Sequence, residues 1–204
     1  MMRPFTLLLG LLALAVPARA DEQWKSVSDK DGIRVEKRGV AGSKFPEVRA
    51  AGHSTLPPGR LAAAIWANRA DGKFTRKSRR LRQVISETDT VRVVYEQIRT
   101  PLVSDRDFTA RLVRSTDAKG VFHVEFTTVD EGPPPNPKLV RLPRVHGSWS
   151  VTPAADGGCD VVYIVYSEPG GSIPAWMVRG AQIDTAGDVV VEVIDWATRH
   201  PEAR

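Results

Sequence analysis

The chain reads as an α+β domain: an antiparallel sheet, wetted on one face, closed by a single long helix at the C-terminus. Three observations predict it. From Val121 to Val129, Phe122, Val124, Phe126 and Thr128 fall on one face and His123, Glu125 and Thr127 on the other, the period of a strand with one buried side. Segments of this kind are separated by hairpin chemistry at Asp29-Lys30-Asp31-Gly32, Asp117-Ala118-Lys119-Gly120 and Asp156-Gly157-Gly158. From Pro174 to about His200 the period changes to that of a helix.

The elements follow in order. Arg3, the apolar run Phe5 to Val16 and the small-x-small end Ala18-Arg19-Ala20 predict a secretory leader, residues 1–20, cut after Ala20; an uncleaved anchor is the alternative. The 184 residues that remain (204 minus 20) suit one domain, 21–204. The leader carries Arg3 and Arg19 and no acid, so the formal charge falls from +5 to +3. Cys159 is the single cysteine, which excludes an internal disulfide and any CxxC site. An exported protein held by its core alone points to a bacterial periplasm.

Strands are expected at Trp24–Val27, Ile33–Arg38, Glu47–Thr55, Leu81–Glu87, Val91–Thr100, Asp107–Arg114, Val121–Val129, Leu139–Pro153 and Cys159–Ser167. A first helix follows Pro57-Pro58 and runs to about Ala67, with Leu61, Ala64, Ile65 and Trp66 as its apolar stripe. The second starts near Pro174, with Ser172 available as a cap, and would be about 40 Å long. Val178, Ile183, Ala186, Val189, Val190, Val193, Ile194, Trp196 and Ala197 share its apolar face; Asp184, Asp188, Glu192 and Asp195 share the other. Gly180, Gly187 and Gln182 interrupt that pattern. They suit either a lid that bends over a cavity or close packing on the sheet.

Few motifs carry chemistry. Asp105-Arg106-Asp107 lacks the further oxygen ligands that a hard cation needs and any nucleophile beside it, so a structural clasp of charge-assisted hydrogen bonds is the better reading. His53, His123, His146 and His200 are scattered, without metal-ligand spacing. Gly170-Gly171-Ser172 lacks the G-x-S-x-G frame of a nucleophile elbow. Arg76-Lys77-Ser78-Arg79-Arg80-Leu81-Arg82 places five cations in seven residues. In an exported chain that suits a solvated strand edge or transient contact with an anionic membrane surface, and not nucleic acid.

Taken together, Trp24 with Gly32-Ile33-Arg34-Val35, Pro101-x-x-Ser104-Asp105-Arg106-Asp107-Phe108, Val140-Arg141, Gly147-Ser148-Trp149 and Gly170-Gly171-Ser172-Ile173-Pro174 resemble the START domain, the steroidogenic-acute-regulatory-protein-related lipid-transfer family, of the bacterial secreted kind. Between Asp71 and Arg82 the likeness weakens, since Asp71-Gly72-Lys73-Phe74 stands where family members commonly carry a Trp-Asp pair.

The resemblance implies a helix-grip (START/Bet v 1-like) fold, with a curved sheet wrapped around the C-terminal helix and a lipid or other hydrophobic molecule between them. It implies binding or transfer without catalysis, cofactor or metal. The rivals are a cyclase- or hydrolase-like enzyme using Arg141 and His146 in the same cavity, and a closed interaction module. It also makes Thr100 to Ser104 a gate, with apolar Leu102 and Val103 at its tip and Arg106 and Asp107 as its clasp. Extending the face of Phe122 and Phe126 to neighbouring strands gives Tyr95, Phe108, Leu112 and Trp149 as cavity wall, with Ile183 and Val190 from the helix. Arg141, Gln97 and Gln182 are the expected polar contacts.

Overall fold

The computed structural model describes residues 23–67, 79–100, 103–173 and 175–201. The expected leader, Leu102 of the gate, the segment from Asp71 to Phe74, most of the basic run and Pro174 lie outside them, as does the side chain of Val178.

Ten strands and two helices make up the described chain: β1 (Lys25–Lys30), β2 (Ile33–Arg38), β3 (Glu47–Ser54), α1 (Pro58–Trp66), β4 (Arg79–Glu87), β5 (Val91–Ile98), β6 (Arg106–Thr116), β7 (Phe122–Thr128), β8 (Val140–Arg141), β9 (Arg144–Pro153), β10 (Cys159–Glu168) and α2 (Ala175–Arg199). The strands form one sheet in the order β1-β2-β3-β10-β9-β7-β6-β5-β4, with β8 beside β6. Except for the parallel β6–β8 pair, neighbours run antiparallel.

Local chemistry explains the joints. Asp31 and Gly32 both have positive φ, 54° and 74°, and join Lys30 to Ile33 in the two-residue turn that matches strand twist. Pro58 occupies the first turn of α1, where its missing N–H costs no intrahelical bond. The single strand expected over Leu139–Pro153 is broken: β8 ends at Arg141 and β9 begins at Arg144. Pro143 lies in the gap and has no N–H to donate to a ladder.

The core divides in two. The larger cluster packs α2 residues Ala186, Val189, Val190, Val193, Trp196 and Ala197 against Ile33, Val35, Val48, Ala50, Val161 and α1. The smaller one joins Val94, Phe108, Ala110, Leu142 and Val145. Arg60 of α1 donates to the carbonyl oxygens of Ala197 and Thr198, 2.9 Å each, satisfying two acceptors that the last turn of α2 leaves open.

The two glycines of α2 differ. A Cβ on Gly187 would lie 3.2 Å from Val35 Cγ2, whereas one on Gly180 would meet nothing within 4 Å. Gly187 therefore permits close helix–sheet contact. Gly187→Leu is expected to lower stability by about 1–3 kcal/mol through overpacking, and Gly180→Ala to raise it by up to about 1 kcal/mol; urea denaturation of the two variants checks both signs.

Candidate functional site

Strand parity decides which side chains can meet a ligand. Phe126 stands opposite Leu112, Ala110 opposite Val94, and Phe108 opposite Glu96, so these residues share the concave face that the helices cover. Phe108, Leu112, Phe126 and Trp149, with Ile65 of α1 and Val189 of α2, line an interior cavity of about 80 Å³. Trp149 and Tyr163 rings lie beside it with centroids 4.4 Å apart.

An ion pair also faces this cavity. Arg82 Nη1 lies 2.8 Å from Glu96 Oε1, with the two side chains 5% and 9% exposed, and both residues line the space. Neither was an expected site residue. Arg82 reads from sequence as the end of a solvated basic run, and Glu96 as an outward charge. Had the parity of Phe108 been carried across the strand pair, it would have placed Glu96 inside.

Seven of the expected contacts fall elsewhere: Tyr95, Gln97, Phe122, Arg141, Gln182, Ile183 and Val190 do not line the cavity. Tyr95 and Gln97 stand opposite Thr109 and Asp107, one residue out of phase with Phe108, and so lie on the convex face. Arg141 joins them there. The strand Arg92 to Glu96 is buried at every position, which hides the alternation that would have shown the phase. On α2 it is Val189 that reaches the cavity, while Val190 is wholly enclosed in the larger core. Ile183 packs on that same core.

Gln182 donates to Ser167 through one amide nitrogen, at 2.7 Å to the carbonyl oxygen and 2.8 Å to the hydroxyl. Phe122 also packs on the larger core, and lines an external groove beside α1.

Asp107 organises the convex side. Its carboxylate, 1% exposed, accepts two hydrogen bonds from the Arg141 guanidinium, each 2.9 Å, and one of 2.9 Å from the Tyr95 hydroxyl. Gln97 donates to that hydroxyl at 3.2 Å, and Arg141 also reaches the Pro133 carbonyl at 3.2 Å. The bond to Asp107 holds the Arg141 pKa above its ordinary value, while burial pushes the Tyr95 phenol up.

Arg106 points the other way. Its guanidinium donates to the Pro169 carbonyl at 3.3 Å and to the Ser104 carbonyl, tying the start of β6 to the turn before α2. Burial lowers its pKa. Gly170 and Gly171 follow in that turn, both with φ of 60°, a conformation that glycine adopts without strain. Asp105 Oδ1 accepts from the Thr100 amide at 3.0 Å, and Val103 is half-buried.

The histidines have surface roles. His146 stacks on Tyr166, centroids 4.9 Å apart, in an outward position between Val145 and Gly147; with Arg141 also convex, the two groups proposed for a cyclase-like reaction do not face the cavity. His123 lies 3.7 Å from Asp117, and His200 Nδ1 lies 2.9 Å from the Trp196 carbonyl. Among the described residues no group of His, Cys, Asp and Glu could hold a metal ion, and no helix is long and apolar enough to cross a membrane.

A START domain model matches residues 13–202. The chain belongs to the START domain family. The matched span overlaps the last positions of the expected leader. This START domain is similar to the solved STAR-related lipid transfer protein of Xanthomonas axonopodis, at 26% identity and a TM-score of 0.77, covering 86% of this chain and 98% of that one. It is 25% identical to the uncharacterized Pseudomonas aeruginosa protein PA1579 over 80% of this chain and 81% of the relative. The Zhui aromatase/cyclase of Streptomyces sp. R1128 shares the fold, with a TM-score of 0.56 and 13% identity over 77% of this chain and 96% of that one.

Two predictions test this geometry. Asp107→Ala leaves the Tyr95 hydroxyl and the partly exposed Arg141 without their acceptor, and should cost about 3 kcal/mol in urea denaturation. His53 has Asp160 Oδ1 2.9 Å from Nδ1 and Asp156 Oδ2 3.0 Å from Nε2, an arrangement that needs both ring nitrogens protonated. The Asp160 bond, then Asp156, raises its pKa above 6.5. The resulting stability is fully present below the unfolded-state value and is lost as pH rises through the folded one. The melting-temperature gap between the natural protein and His53→Ala should therefore be wide near about pH 5 and close toward about pH 9.

Proposed function

We propose that this START domain binds a hydrophobic molecule, a lipid or a compound of similar polarity, between the concave sheet and α2, and carries it without chemical change. The observation that supports the reading best is the interior itself: an aromatic and aliphatic wall with one buried ion pair facing the space. Apolar surface removed from water contributes about 25 cal/mol per Å² to such binding, and one or two polar groups fix the orientation. Arg82 and Glu96 are the groups that would meet a hydroxyl or carbonyl of the ligand.

The described cavity, about 80 Å³, is below the roughly 300–1,000 Å³ that a ligand-sized pocket occupies. Uptake would therefore widen it. The Gly170-Gly171 turn, held by Arg106 to the Pro169 carbonyl, is the joint about which α2 would swing, with Thr100 to Ser104 as the adjoining gate. The leader-like N-terminus supports a place outside the cytoplasm, in a bacterial envelope, with an anionic membrane surface as the place of exchange.

Native mass spectrometry of the protein recovered from its own cell envelope tests the reading. A stoichiometric hydrophobic molecule released on denaturation is the expected result, and Ala110→Leu, which projects an isobutyl arm into the cavity, should abolish its retention while the domain stays folded. A clean apo mass with no uptake from offered phospholipid vesicles would overturn the reading.

A further inference from the structure

We infer that a second site, independent of the interior cavity, lies in the external groove between α1 and the β6–β7 end of the sheet, and that it takes a small organic carboxylate with an apolar body. The groove has a volume of about 660 Å³, large enough for such a molecule. Ala63 of α1 forms part of one wall, Phe122 an apolar surface, and Thr90 and Thr116, the latter in phase with Arg114 on β6, are hydroxyl-bearing residues of the lining.

Trp66 and Arg114 give the groove its chemistry. The Arg114 guanidinium lies 4.7 Å from the Trp66 ring centroid, and its Nε donates to the backbone carbonyl of Asp89 at 2.6 Å. Arg92 also lies on that ring, at 4.2 Å, but it is neutralised by Glu87, 2.5 Å away. Arg114 makes no ion pair among the described residues: Asp89 offers it the carbonyl, not the carboxylate. Among the described residues nothing accepts from the terminal N–H groups of this stacked cation, which lies beside an apolar surface and two threonines. A carboxylate satisfies a guanidinium fork with two parallel hydrogen bonds, Trp66 holds that fork in place by stacking, and Phe122 offers the surface against which a flat or aliphatic body packs.

The groove stands apart from the gate. Arg106, which holds the turn before α2, is at one end of β6, and Arg114 is about 27 Å of strand further on. Occupancy of one site therefore need not disturb the other, and the inference does not rest on the reading of the interior.

The test is a titration of the mature protein with 2-naphthoate, followed by amide and indole chemical shifts, alongside its neutral counterpart 2-naphthalenemethanol. Saturable shifts at Ala63, Thr90, Thr116 and the Trp66 indole are expected, with binding weakened about tenfold or more by Arg114→Gln, by Ala63→Leu, and by loss of the charge in the alcohol. Shifts confined to Val94, Trp149 and Val189 would place the probe in the interior and overturn the inference. Equal affinity for the natural protein and Arg114→Gln would overturn it as well. The envelope-derived ligand of the interior should stay bound in Arg114→Gln, which separates failure here from failure of the interior reading.

Discussion

One helix cannot cover this sheet, and the rest of the molecule follows from that constraint. Nine strands in sequence across the sheet, at about 4.8 Å each, span about 40 Å, whereas a helix with its side chains is roughly 10–12 Å wide. Strand twist and curvature close part of the difference. Still, α2 packs on β2, β3 and β10 and leaves the concave face of β4 to β7 to other means. There the second, smaller apolar cluster, the end of α1 and the cavity are found. The space is a consequence of a wide sheet gripping a narrow helix.

The convex face of that same half carries its own cover. Gly132 sits against Thr109 and Ile85, and the neighbouring Pro133 carbonyl receives Arg141, so the proline-rich connection lies over β4 to β6. Tyr95, Asp107 and Thr109 are consequently as buried as any core residue. A carboxylate this dry is costly unless it is paired and hydrogen-bonded, and Arg141 and Tyr95 meet that need. Strands β5, β6 and β8 are thereby fastened to one another from outside.

These two-sided strands also mark where the sequence stops being readable. Alternation in Val121 to Val129 and the helical period after Pro174 show through because each element has a wet side, and the architecture and nearly all element boundaries follow from them. In Val91-Arg92-Val93-Val94-Tyr95-Glu96 no wet side exists to set the phase. A slip of one residue sends every side chain to the opposite face, so Tyr95 and Gln97 were expected where Val94 and Glu96 are found. Phe108, Leu112, Phe126 and Trp149 have clearer alternation around them and do share the interior. Arg82 was hidden differently, since a buried arginine is recognisable only through a partner strand that primary sequence does not place beside it.

The buried pair says something about what the interior is for. Desolvating two ions costs several kcal/mol each, and well-packed apolar residues of the same volume are commonly as stable or more so. Arg82 and Glu96 are therefore weak candidates for holding the fold together, the more so because β4 and β5 are already joined by a backbone ladder from Arg79 to Glu87. Their value is greater if the cavity receives a guest. An otherwise greasy wall accepts any apolar shape of suitable size, and a fixed donor and acceptor within it discriminate against guests that bring no polar group to meet them. On the proposed reading, the ion pair would set the selectivity of the container and the aromatic wall its affinity.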